Sequence, residues 1–357
     1  MKNRRFSLVI GILVIALLAV VVVRYVNRGE EAPGEVNLMT WGGDFIPRAI
    51  IEEFEKETGI KVNYKEVTSN EDMQSLLEAS PDQYDLAVTT DYMVDILRQS
   101  DMLAVLDKSK IPNYANINPV YHGAYYDPND QYSIPYAISI SFLLVNPEGV
   151  ESLGARPITS YGDMWQEELV NNIVLIDWSV EIMGLVLKSL GYEYNETDPV
   201  KVAEAREKLF ALKPNIKRFE TNTPEDSLVN GEAVIGFMYS NQAVKGQQAR
   251  PNLQPVFPTE GMPIYIDSWV MSKQAPNKDG AYKFLDFIMR PEIAARIADM
   301  TKFTSPNKAA EAHLPADFKN NPMLNLADEV VENTSFYIGV DRVLDEYEHI
   351  YSEFKLR

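Results

Sequence analysis

The 357-residue chain contains no cysteine and only three histidines, His122, His313 and His349. The first absence excludes disulfides, a thiol nucleophile, a cysteine-based zinc site and the lipid-bearing cysteine of a lipoprotein cleavage site. The histidines are far apart in sequence and none sits at metal-ligand spacing from another, so neither a metal nor a cofactor is expected. There is no phosphate-binding loop and no G-x-S-x-G nucleophile elbow, which removes the motifs of nucleotide hydrolysis and serine-type acyl transfer. Basic residues are scarce as well: 33 Lys and Arg stand against 52 Asp and Glu, a formal charge of −19. That balance disfavours nucleic acid and anionic substrates and is compatible with cationic ones. What remains, 46% hydrophobic and 24% charged with no internal repeat, is the composition of an ordinary globular body.

The N-terminal stretch is a separate object. Lys2, Arg4 and Arg5 precede an apolar run over residues 6–23, followed by Arg24 and Arg28. A helix of that length at about 1.5 Å per residue nearly matches the hydrocarbon core of a bilayer, and the leading positive charges keep the N-terminus cytoplasmic. No small-residue cleavage site follows, so an uncleaved anchor is expected over residues 1–28, with a cleaved secretory signal as the alternative. Residues 29–35 read as a tether. The remainder then faces the extracytoplasmic side of the membrane. Without the five basic residues of the anchor, 28 remain against 52 acids, a charge near −24.

Beyond the tether the hydrophobic pattern alternates. Residues 36–41 read as a strand, 47–57 as an amphipathic helix opened by Pro47 and stopped by Gly59, and 60–67 as a strand. A helix capped at Ser69 runs to 79, a short buried strand covers 84–89, and a helix covers 92–100. Such alternation predicts a parallel, doubly wound sheet with helices on both faces. A long strand over 134–145 leads away from this unit, and the pattern then restarts with a strand at 173–176 and helices over 181–190 and 199–212. Strands at 233–239 and 263–269, a helical stretch over 279–300 around Pro291, and a closing helix over 340–354 complete an α/β chain of two lobes.

Three times an aromatic ring stands within a few residues of a carboxylate at a strand end: Trp41 with Asp44, Trp178 with Glu181, and Tyr265 with Asp267. Ring faces cover methylenes and attract cations, and carboxylates hold ammonium groups, so the combination suits an organic cation. Residues 41–45 and 89–92 follow the first and third strands and so share the carboxyl edge of the sheet, where open α/β sheets bind ligands. Each residue also has a plainer account. Asp44 precedes Pro47 as a helix-start acid, Glu181 opens a helix, Asp267 fits a turn, and each ring fits simple packing.

The motifs EFEKETGIKVNY (53–64), SNE (69–71), YDLAV (84–88), LDKSKIPNYANINP (106–119), YSIPY (132–136), LGY (190–192) and MRPEIAARIAD (289–299) occur in order along the chain. In this the chain resembles the spermidine/putrescine-binding proteins of bacterial ABC transporters, from about residue 36 to the C-terminus. The resemblance implies a two-lobe periplasmic-binding-protein-like α/β fold of type II, with lobe 1 over 36–138 plus 268–308 and lobe 2 over 139–267 plus 309–357. It implies a monomer that closes around a polyamine and passes it to an ABC permease. Carried over by position, the ligand-binding residues it implies are Trp41, Asp44, Phe45, Thr90, Tyr92, Asp177, Glu181, Tyr239, Tyr265, Asp267 and Phe303. Four of these depart from the family: Tyr239 and Tyr265 replace tryptophans, and Phe45 and Phe303 replace tyrosines. Trp178 stands where some relatives carry an acid, a change that favours a shorter diamine.

Two other functions fit parts of the pattern. Two acids such as Asp44 and Asp267 beside aromatic platforms are the minimum of a glycoside-processing site, although carbohydrate sites add amides and hydroxyls that are sparse here. A tethered amine sensor would use the same lobes and signal through a membrane partner.

Overall fold

The computed structural model describes residues 34–43, 45–325, 330, 332–338 and 343–356. The expected anchor over residues 1–28 and the candidate acid Asp44 lie outside the described residues. Among those described, no helix is long and apolar enough to cross a membrane.

The chain opens with β1 (Glu35–Trp41), α1 (Arg48–Thr58), β2 (Lys61–Val67), α2 (Asn70–Ala79), β3 (Leu86–Thr89) and α3 (Asp91–Gln99). β1 pairs in parallel with both β2 and β3, as the alternation predicts. The long β4 (Ser133–Val145) is followed by β5 (Ile173–Leu175), α4 (Ser179–Ser189), α5 (Pro199–Leu212), β6 (Ile216–Phe219), β7 (Ile235–Tyr239), α6 (Ser240–Ala249) and β8 (Gln254–Val256). Next come β9 (Met262–Met271), α7 (Lys278–Ile288), α8 (Pro291–Thr301), the two-residue β10 (Thr334–Ser335) and α9 (Leu344–Leu356). The strands hydrogen-bond in the order β2-β1-β3-β9-β4-β7-β5-β6, with β10 on β9 and β8 on β4.

Local chemistry sets the boundaries. α1 turns Ile50, Ile51 and Phe54 inward, and Phe54 meets Phe284 and Phe287 of α7 edge to face at 5.3 and 5.4 Å. Gly59 ends α1 in the left-handed region, φ 70°, with its N–H donating to the Glu55 carbonyl at 2.8 Å. Gly59→Ala forces a side chain into that conformation, and chemical denaturation of the variant is expected to show a loss of about 1–2 kcal/mol. The Ser69 hydroxyl accepts the Asp72 N–H at 3.0 Å and caps α2. Pro291 splits the stretch over 279–300 into two helices and takes the first position of α8, where its missing N–H costs nothing.

The sheet is mixed where a wholly parallel one is predicted. β9 runs antiparallel to β3, and β4 runs antiparallel to β9 and to β7. Hydrophobic periodicity carries no information on strand polarity, and both strands join the first unit from a distance in sequence. β4 changes partners along its length: residues 133–140 pair with β9, and residues 141–145 pair with β7. The two ends of the strand path are thus joined through β4 and β9, and the candidate site lies over that junction.

Candidate functional site

Cross-strand pairs point to the same face of a sheet, so the register of β4 defines three rows. Ala137 lies opposite Asp267, Ser139 opposite Tyr265, and Ser141 opposite Tyr239. Large side chains come from β9 and β7 and small ones from β4. The first and third rows are separated by four residues, about 13 Å of strand. One acid marks each end: Asp267 in the first row, and Glu181, in the first turn of α4, which accepts the Ser141 hydroxyl in the third.

At the first end the Trp41 indole N–H donates to Asp267 Oδ1 at 3.0 Å, joining residues 226 positions apart. Trp41 is half-buried at the carboxyl end of β1, and Asp267 is only 6% exposed. Burial pushes the Asp267 carboxyl up to about 7; the indole bond opposes this and the nearby Asp91 charge adds to it. At the other end Glu181 is fully buried and also pushed up to about 7 by desolvation, a shift held back by the hydroxyls of Ser141, Tyr265 and Tyr337. Glu181 Oε2 and Tyr265 Oη are buried without a well-formed hydrogen bond among the described residues. Asp91, the first residue of α3, is a third fully buried acid with its carboxyl raised to about 7 by burial. No Lys, Arg or His among the described residues forms an ion pair with any of the three.

Aromatic rings cluster near the acids. Tyr92 of α3 stacks on Trp178, the residue before α4, at 6.4 Å and 25°. Trp178 lies 5.9 Å from Tyr265, which has Tyr239 edge-on at 6.0 Å and Tyr337 stacked at 5.6 Å and 24°. The Tyr92 hydroxyl is fixed by Asn70 Nδ2, which donates to it at 2.8 Å, and it donates to Glu71 at 3.1 Å. Thr90 Oγ1 accepts from the same amide at 2.7 Å.

Of the residues singled out in the sequence, Trp41, Tyr92, Glu181, Tyr239, Tyr265 and Asp267 therefore converge, with Thr90 held beside Tyr92. Phe45 and Phe303 adjoin the first row: their rings meet at 5.1 Å, Phe45 is buried against Tyr136 at 5.4 Å, and Phe303 lines a small cavity with Tyr136 and Ala137. Asp177 is exposed and held by the C-terminal helix, with Lys355 Nζ at 2.8 Å from both carboxylate oxygens and the Tyr351 hydroxyl donating at 2.8 Å. Sequence reasoning missed Asp91 and Tyr337. Asp91 begins a helix, where acids are common for reasons of dipole alone, and Tyr337 sits in a stretch without periodicity.

The three raised acids have a consequence for stability. Each carboxyl rests at about 7 in the folded chain and near 4 in the unfolded one, so between those pH values the folded chain holds protons that the unfolded chain has released. The contribution of these groups to stability is therefore greatest at low pH and is lost as pH rises through about 7. Thermal unfolding of the unliganded protein should show this as a higher Tm for wild type relative to Asp267→Asn at pH 5 than at pH 8.

Comparison with known proteins places this geometry. Residues 49–325 match the family described as bacterial extracellular solute-binding protein. The chain is 33% identical over 313 residues to the spermidine/putrescine-binding periplasmic protein of Escherichia coli, covering 87% of this chain and 89% of that one. It is 29% identical over 304 residues to a putrescine-binding periplasmic protein of the same organism, covering 80% and 82%. Among solved structures, a putative spermidine/putrescine ABC transporter protein from Listeria monocytogenes superposes with a TM-score of 0.84 at 31% identity, over 90% of this chain and 99% of that one. The fold is thus the α/β fold of periplasmic binding proteins, and the chain belongs to the bacterial extracellular solute-binding proteins, the family of these polyamine-binding relatives.

Proposed function

We propose that the protein captures a polyamine, spermidine or putrescine, between two lobes and delivers it to an ABC transporter permease. The observation that carries this reading is the site itself: two buried carboxylates, Asp267 and Glu181, with Asp91 behind the first, are unpaired by any basic side chain among the described residues and lie among tyrosine and tryptophan rings. Buried carboxylates without a cation are costly, and a chain of methylenes ending in ammonium groups supplies both the charge and the surface that the rings cover. Each ammonium brings three donors, a match for acceptors such as Glu181 Oε2. In this reading Asp267 and Glu181 hold ammonium groups, and Trp41, Tyr92, Tyr239 and Tyr265 cover the methylenes. The relatives named for spermidine and putrescine support the same ligand class.

The lobes are residues 36–138 plus 268–308 and residues 139–267 plus 309–357, and β4 and β9 are the strands on which they move. Ligand favours the closed form by its greater affinity for it. The protein is not an enzyme; it acts as a monomer on the extracytoplasmic face, tethered through residues 1–28. Trp41 and Trp178 lie in the site, so putrescine or spermidine should change tryptophan emission in a saturable way. Trp41→Phe should reduce the amplitude and, by removing the indole bond to Asp267, weaken binding by about 1 kcal/mol. An emission spectrum indifferent to both amines would contradict the reading.

A further inference from the structure

The resemblance does not mark Asp91 as a ligand residue, and its position in the sheet shows what it does. β3 ends at Thr89, so β9, which pairs with it over residues 268–271, loses that partner before Ile266. Asp91 takes its place. Oδ2 accepts the Ile266 N–H at 3.2 Å, while Oδ1 accepts the Tyr92 N–H at 2.6 Å and the Tyr125 hydroxyl at 3.0 Å. A side chain thus extends the β3–β9 pairing beyond the end of β3, at the residue immediately before Asp267.

Both oxygens act as acceptors, Oδ2 for Ile266 and Oδ1 for Tyr92 and Tyr125; an amide would offer one oxygen and set its NH2 against a backbone N–H, so the bonding pattern itself calls for a carboxylate. The groups around it set how its charge is felt. Tyr92 on its own helix and Tyr125 and Tyr126 from the segment before β4 are kept in the neutral phenol form by burial. The group that faces Asp91 from β9 and titrates in the same range is Asp267.

We propose that Asp91 is a positioning residue of the amine site: it holds β9 at Ile266 so that Asp267 faces the ligand, and it places a second negative charge behind Asp267 for a single ammonium group. This inference rests on the polyamine reading. In the free protein the two carboxylates compete for ionisation and titrate as a coupled pair; a bound ammonium relieves the competition.

The test compares full-length wild type with Asp91→Asn by titration with putrescine from pH 5.5 to 8.5. Asparagine removes the charge and one of the two acceptor oxygens, so the lost hydrogen bond lowers affinity uniformly and the charge is read from the pH dependence. Affinity at pH 8.5 should fall by about tenfold or more through loss of a nearby negative charge, and the midpoint of the pH profile should move to lower pH because Asp267 ionises more easily. A loss of equal size at every pH, or no loss, would overturn the inference, since a purely structural role shifts the whole profile in parallel. Should Asp91→Asn not fold, carbon-detected NMR titration of the wild-type side-chain carboxyls decides the matter. Two-step, mutually dependent curves for Asp91 and Asp267 support the pairing, and independent single-step curves overturn it. Wild type silent toward putrescine and spermidine would instead overturn the polyamine reading, while the NMR curves would still report whether the two acids are coupled.

Discussion

Asp267→Asn is expected to weaken polyamine binding by about 1.5–3 kcal/mol, roughly ten- to 150-fold in Kd, because a buried charge-assisted hydrogen bond is lost while the shape of the site is kept. The amide oxygen can still accept the Trp41 indole N–H, so the first row of the site keeps its geometry and the loss reports charge. A second effect runs the other way. The unliganded variant no longer holds an ionised acid beside Asp91 in a buried site, so its Tm at pH 8 should rise above that of wild type. Falling affinity together with rising stability separates a ligand acid from a structural one, whose removal lowers both. Calorimetric titration and thermal unfolding of the same preparation check the pair of outcomes.

Polyamine affinity should fall by about a hundredfold between pH 8 and pH 5. This follows if one acid that titrates at about 7 must be ionised for binding: nearly all of it is ionised at pH 8 and about one part in a hundred at pH 5. Primary amines stay charged throughout this range, so the ligand contributes no compensating change. A dependence on two acids would make the fall steeper. Equilibrium dialysis with labelled putrescine at intervals of one pH unit measures the slope directly, and a Kd constant from pH 5 to 8 would contradict a site built on Asp267 and Glu181.

Much of the architecture is legible in the residues themselves. Gly59, Ser69 and Pro291 announce helix boundaries through conformational limits that act locally, and α1, α2 and α8 begin or end where those residues say. The strand ends carrying Trp41 and Tyr92 follow from the alternation of the first unit. The pairing of Trp41 with Asp267 is different in kind: the two are 226 residues apart, and their juxtaposition depends on β9 returning antiparallel beside β3, which no local pattern encodes. Asp177 is held by Lys355 and Tyr351 of α9, a helix whose docking cannot be read from the residues around Asp177. Asp91 shows the converse. As the first residue of α3 it looks like an ordinary helix-start acid, and only the termination of β3 two residues earlier leaves its carboxylate to meet Ile266, 175 residues away.

The most direct test of the central claim is isothermal titration of the full-length protein, in detergent, with spermidine, putrescine and a maltooligosaccharide at low and moderate salt. Tight binding of a polyamine at one site per chain, weakened in Asp267→Asn and absent for the sugar, is the expected result. No heat from either amine together with a sugar signal would contradict it and transfer the acids and rings to a carbohydrate.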